Sequence, residues 1–232
     1  MARGPHCRSR QDVRGWRLVV ASSALVLCMG THAKAAEVET RDFTVYVDDK
    51  EAGKVHMTIN TKEDGAIAVS CDTDVSIGAI ITLYKYSYRG RELWKDGRLQ
   101  HFESKCNDNG KEFAVSAAAA DDGLHVKVND AEHTAPADAL LTSYWAQPDA
   151  RLKDQTVSLL DADCGRDLEA KVQFLGPEQY GPKGKQHTVQ HVRLTGKGVG
   201  MDLWYDDAKR LVREDWVEDG HRTIVSLNGV RR

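Results

Sequence analysis

YKYSYRGRELWKDGRL, residues 84–99, is the stretch on which the fold turns. Tyr84, Tyr86, Tyr88 and Trp94 share one parity, so an extended chain projects all four from a single face, while Lys85, Arg89 and Arg91 take the other. A spacing of two is that of a half-buried strand. Asp96-Gly97 follows at once, and an Asp-Gly pair readily adopts the positive φ values of a two-residue hairpin turn. The chain is therefore expected to return antiparallel from Arg98, with Lys95 opposite Arg98 and Cys106 opposite Ser87.

The same reading extends in both directions. Val55, Met57 and Ile59 alternate with polar neighbours, as do Ile67, Val69, Cys71 and Val75, then Phe113, Val115 and Ala117, then Leu124, Val126 and Val128. Asp64-Gly65, Asn109-Gly110, Asp122-Gly123 and Asp219-Gly220 punctuate these runs as turns. A turn at Ile77-Gly78 would set Cys71 opposite Tyr84. Further on, Leu168, Ala170, Val172 and Phe174 alternate, a Gly/Pro/Lys loop spans Gly176 to Lys185, and residues 186–195, 201–206, 210–217 and 222–227 form a closing meander. About a dozen strands in one chain suggest a strongly curved sheet rather than a flat one. One segment reads as helix, Pro136 to Trp145, with proline in its first turn and Pro148 beyond its end; it is placed to cap or plug the sheet. The expected fold is mainly β, an antiparallel meander forming a curved sheet or half-barrel with one short helix.

The N-terminus carries an address. Arg3, Arg8, Arg10, Arg14 and Arg17 precede an apolar run from Leu18 to Met29, which is too short to span a bilayer, and Ala33-Lys34-Ala35 follows as a small-x-small cleavage pattern. Residues 1–35 are expected to be a secretory signal, with the exported, periplasmic or secreted domain running from residue 36 to 232. Leu27 before Cys28 is not the small residue of a lipobox, and Arg14 lacks the second arginine of a twin-arginine signal. No later stretch is apolar enough for a transmembrane helix. Residues 1–35 hold six of the 32 Lys/Arg and one of the 35 Asp/Glu, so their removal takes the formal charge from −3 to −8. That sign disfavours nucleic acid and anionic membrane surfaces as partners.

Chemistry is harder to find. His187 and His191 would share a helix face, but on a strand they stand about 13 Å apart and cannot hold one metal ion unaided. Gly196-Lys197-Gly198-Val199-Gly200 joins two strands, whereas phosphate loops feed a helix N-terminus, so it reads as a hairpin. No serine occupies a Gly-x-Ser-x-Gly elbow, and Asp161-x-Asp163 and Asp206-Asp207 read as solvated turn residues. Cys71, Cys106 and Cys164 have neither zinc-site spacing nor the makings of a disulfide framework, and in the expected register Cys71 and Cys106 lie too far apart to bridge. No catalytic residue, metal site or cofactor is assigned. The aromatic set is the candidate site: Tyr84, Tyr86, Tyr88 and Trp94 on one strand face, joined by Trp145 and Trp204, could line a concave apolar pocket, or could equally form an ordinary core ladder.

Two segments carry a resemblance. Glu92–Leu99 with its continuation Ser104–Lys111, and the ending Asp202-Leu203-Trp204-Tyr205-Asp206 with Leu211-Val212, resemble a family of uncharacterised exported bacterial proteins, a domain of unknown function. Cys106 stands where such sequences more often carry a small hydroxylated residue. In architecture the long meander with a plug also looks like the half-barrels of periplasmic lipoprotein carriers, which implies an apolar ligand without naming one. The leading expectation is an envelope protein that holds a lipid or other apolar or amphipathic small molecule, or a segment of an envelope protein, on its concave face. Its alternatives are a structural or interaction module with a filled core, and a hydrolase-like enzyme whose residues the sequence does not identify.

Overall fold

The structure, a computed structural model, describes residues 36–78, 84–181 and 186–232. The expected signal, residues 1–35, lies outside the described residues. From Glu37 onward the chain lays down β1 (Glu37–Val47), β2 (Lys50–Thr61), β3 (Ile67–Ile77), β4 (Tyr84–Lys95), β5 (Arg98–Asp108), β6 (Lys111–Ala120), β7 (Gly123–Val128) and β8 (Ala131–Ala135). After a long irregular passage containing β9 (Leu140–Leu141) and β10 (Thr156–Leu160) come β11 (Asp167–Tyr180), β12 (His187–Gly196), β13 (Val199–Tyr205), β14 (Leu211–Glu218) and β15 (His221–Arg231).

All fifteen strands belong to one sheet, ordered β8 to β1 and then β15 down to β9. Two meanders are thus joined along β1 and β15, where Val45 faces Val225 and Phe43 faces Leu227. The sheet is unclosed, with β8 and β9 at its free edges, and only the β9–β10 pairing is parallel. Local sterics explain the tight turns: Asp96-Gly97, Asn109-Gly110 and Asp219-Gly220 each place both residues at positive φ, the backbone of a type I′ hairpin turn. Asp48-Asp49 does the same without glycine, and the Asp48 carboxylate there accepts the Arg222 N–H at 3.0 Å.

Four sequence expectations are corrected. Pro136–Trp145 is not a helix: Leu140 and Leu141 pair with Leu159 and Leu160, which commits the segment to extended backbone, and among the described residues the one helical element is a single 3₁₀ turn at Ala150–Leu152. Lys95 pairs with Arg98 as expected, but a bulge between Leu93 and Trp94 moves the ladder by one residue, so Cys106 lies opposite Tyr88 and not Ser87. Ile77 pairs with Tyr84, so the connection takes the six residues between them and Cys71 faces Gly90 instead of Tyr84. Cys71 and Cys106 nevertheless flank β4 from opposite sides, and both are free thiols. The sequence's loop from Gly176 is also shorter than read: β11 bulges between Phe174 and Gly176 and then continues paired to Tyr180.

The buried cluster lies on the face that carries Phe43, Met57, Val69, Phe102, Val126, Val172 and Leu203. The irregular stretches 136–139, 142–155 and 161–166, which flank the edge strands β9 and β10, pack against this face as a strap. Its Ala162 carbonyl accepts the Ser104 hydroxyl of β5 at 2.6 Å, its Tyr144 carbonyl accepts the Tyr205 hydroxyl of β13 at 3.2 Å, and its Trp145 carbonyl accepts the Arg41 guanidinium of β1 at 2.5 Å. Anchors from both meanders on one strap require the sheet to curl around it, which makes this face concave. The plug expected of a helix is thus supplied by irregular chain.

Candidate functional site

On β4 the inward positions are Tyr84, Tyr86, Tyr88, Gly90, Glu92 and Trp94, the parity that the alternation predicts. The strap brings Trp145 against them: the Trp94 and Trp145 ring centroids are 6.3 Å apart and meet edge to face. Tyr86 donates its phenolic proton to the strap's Asp163, 3.0 Å from each carboxylate oxygen. The Tyr88 ring folds back over Gly90, occupying the space a β-carbon there would need, which explains a glycine mid-strand. Its hydroxyl is buried, with the residue 4% exposed, and has no hydrogen-bond partner.

Trp204 does not join this set. Its neighbours Leu203 and Tyr205 are fully buried in the core, so Trp204 points outward. There it stacks on His191 at 4.4 Å and donates its indole N–H to Glu178 at 2.9 Å. Of the six aromatic residues expected at the site, the structure therefore gathers Tyr84, Tyr86, Tyr88, Trp94 and Trp145 on the concave side and excludes Trp204.

His191 is itself buried, its Nδ1 2.6 Å from Glu178 and its Nε2 2.6 Å from Asp202. A Ser- or Cys-type hydrolase needs a histidine with a carboxylate behind it and one ring nitrogen open to the nucleophile. Here carboxylate oxygens occupy both nitrogens and Trp204 covers a ring face, so the cluster reads as an outer-face brace. His187 lies edge-on to Tyr180 at 5.8 Å. Among the described residues no group of three His, Cys, Asp or Glu side chains could hold a metal ion. Burial pushes the Cys71 and Cys106 thiols up to about 12 and Cys164 to about 11, which leaves none of them as a thiolate nucleophile.

The residues missed by sequence reading are three carboxyls. Glu92 projects between Tyr88 and Trp94 and accepts the Trp94 indole N–H at 2.6 Å. Burial raises it to about 7 against the pull of that bond. Asp163 rises to about 7, first through burial and then through the neighbouring charge of Asp161. Glu214 of β14, opposite Val225 and Leu203 on the concave face, rises to about 8 through burial and the charge of Asp163. Among the described residues no Lys, Arg or His is ion-paired with any of the three. By contrast Arg41, the buried cation nearest the strap, is held by Glu39 at 2.7 Å. Glu92 was legible in principle, since its parity puts a charge on the aromatic face. Glu214 was not, because the bulge between Trp204 and Tyr205 resets the register of β13 on β14.

Solvent still reaches part of this interior: Tyr86, Trp94, Tyr144, Trp145, Asp163 and Glu214 are half-buried rather than sealed. The recess thus combines aromatic faces with carboxyl groups whose neutral form burial favours.

Comparison with known proteins follows the geometry. Residues 43–227 match the model of a domain of unknown function, DUF6134. No curated protein matches the chain. Among solved structures it is similar to a β-barrel-like protein of domain of unknown function DUF1849 from Brucella abortus, with a TM-score of 0.59 at 12% identity, over 86% of this chain and 98% of that one. At that identity the likeness concerns the fold alone. Among the described residues no helix is long and apolar enough to cross a membrane.

Proposed function

Because the chain belongs to the DUF6134 family and has a β-barrel-like fold, we propose that it is an exported envelope protein that holds an amphipathic molecule between the tyrosine stripe of β4 and the strap. The observation that carries this reading is the mixed character of the recess. Half-buried aromatic rings offer apolar contact, while the buried Tyr88 hydroxyl lacks the partner that such a group ordinarily has. A bound ligand that contributes one polar atom there would remove the deficit. Export is the expectation raised by residues 1–35, and it puts the recess in a compartment where amphiphiles need carriers.

Native mass spectrometry of protein purified from its own periplasm tests the reading. The expected result is a discrete added mass that organic solvent removes. Tyr86→Ala, which deletes a recess wall, should weaken retention more than it lowers the unfolding temperature. If no adduct is found and Tyr86→Ala costs about 3 kcal/mol or more, the concave face is an ordinary core and the protein an interaction module.

A further inference from the structure

Resting on that reading, we infer that the turn 161–166, which joins β10 to β11, is a lid over one end of the recess, docked while the Asp163 carboxyl is neutral and released when that carboxyl ionises. Two features of the turn make it separable from the sheet it covers. It is bonded to itself: the Asp161 carboxylate accepts the Asp163 backbone N–H at 3.0 Å and the Arg166 guanidinium at 3.1 Å, and the Gly165 N–H reaches the Asp161 carbonyl at 2.8 Å. It is also lightly attached. Only Ala162 and Gly165 are buried, two of the smallest residues, so undocking exposes little apolar area. Among the described residues its hydrogen bonds to the long strands are the Ser104 hydroxyl on the Ala162 carbonyl at 2.6 Å and the Tyr86 phenol on the Asp163 carboxyl at 3.0 Å. Gly165 then rests on Val115 of β6 and Val128 of β7, so closely that a β-carbon would not fit.

Asp163 is the group in these fastenings that titrates near neutrality, and its surroundings fix the direction of the switch. Facing it are Asp161 on the turn, Tyr86 and Tyr88 on β4, Asp108 and Cys106 on β5, and Glu214 and Glu218 on β14, none of them a cation. Arg166, on the turn itself, is exposed and held by Asp161. Burial and the charge of Asp161 outweigh the Tyr86 hydrogen bond, so the docked carboxyl stands at about 7 in place of 3.8. A group raised in the docked state stabilises docking fully below its released value, and that contribution is lost as pH rises through about 7. Release bares Tyr86, a wall of the recess, and parts the turn from β6 and β7, which opens a path for the amphiphile.

Nuclear Overhauser contacts between the Gly165 α-protons and the Val115 and Val128 methyls read docking directly in the exported chain. Scaled to the contact between Val45 and Val225, which face each other across β1 and β15, they should be strong at pH 5.0 and lose at least half their intensity at pH 7.5. Stopped-flow uptake of Nile red, an uncharged fluorescent amphiphile, should be at least fivefold faster at pH 7.5 than at pH 5.0. Asp163→Asn, neutral throughout, should keep the contacts and the slow uptake at both pH values. Should it not fold, Tyr86→Phe, which lacks the catch, should weaken the contacts already at pH 5.0. Contacts equally strong at both pH values, or uptake that does not follow them, overturn the lid, and Nile red bound in that case leaves the amphiphile reading standing. Nile red bound at neither pH overturns that reading and the lid with it.

Discussion

Glu214 makes the electrostatics of the recess measurable. Its carboxyl is raised from an ordinary 4.5 to about 8 in the folded chain, so the fold favours its neutral form. The stability this contributes is complete below 4.5 and is lost as pH rises through about 8. Glu214→Gln, neutral at every pH, should match the natural chain at pH 4 and exceed it at pH 9 by about 2 kcal/mol, or roughly 4–8 °C in Tm, less than half of what the full shift would give because solvent screens a half-buried carboxyl. Thermal unfolding across that range decides it; an offset constant with pH would remove the desolvated acid from the account. Tyr88 offers a complementary test. Deleting a buried hydroxyl normally costs stability because it breaks a bond, but this one makes none, so Tyr88→Phe should leave Tm unchanged or raise it by up to about 1 kcal/mol of stability. Gly90→Ala, whose new methyl would meet the Tyr88 phenol, should cost about 1–3 kcal/mol through overpacking. Combining it with Tyr88→Ala should recover part of that loss, measured as a double-mutant cycle.

The strap is the element that converts a sheet face into a recess. Its fastenings are hydrogen bonds spaced along the chain, with the Ser104 hydroxyl on the Ala162 carbonyl the shortest contact to β5 at 2.6 Å. Ser104→Ala leaves that carbonyl without its donor in a buried setting and should cost about 1–2 kcal/mol. More telling is where the loss appears: amide hydrogen exchange should accelerate in residues 139–165 while β1, β2 and β15 keep their protection. Uniform acceleration would mean that the strap is an integral part of the core and cannot open separately. Flanking β4, Cys71 and Cys106 face Gly90 and Tyr88 respectively, across two inter-strand spacings. Peptide mapping under non-reducing conditions should recover them unlinked, and a Cys71–Cys106 peptide would contradict this register.

For the molecule as a whole, the first prediction is one of processing. Exported protein should begin at Ala36 or Glu37, next to β1, and N-terminal sequencing that found Met1 or a lipid-modified Cys28 would remove the envelope from the proposal. The sheet itself was readable from the chain alone because period-two alternation and Asp/Asn-Gly turns act over two to four residues: β4 with its tyrosine face, the β4–β5 turn and the closing meander all follow from local sterics and from which side of a strand is apolar. Where local signals are weak, the reading failed for definite reasons. Pro136–Trp145 carries a helix's start and stop, yet Leu140 and Leu141 gain more by pairing with Leu159 and Leu160. Bulges, which shift parity by one, left no mark distinctive enough to place Glu214 inward or Cys106 opposite Tyr88. The approach of Asp163 to Glu214 lay beyond any local rule. Asp163 comes from the strap and Glu214 from β14, and only the long-range pairing of β1 with β15, together with the strap held against both meanders, brings the two into one low-dielectric space where their charges matter to one another.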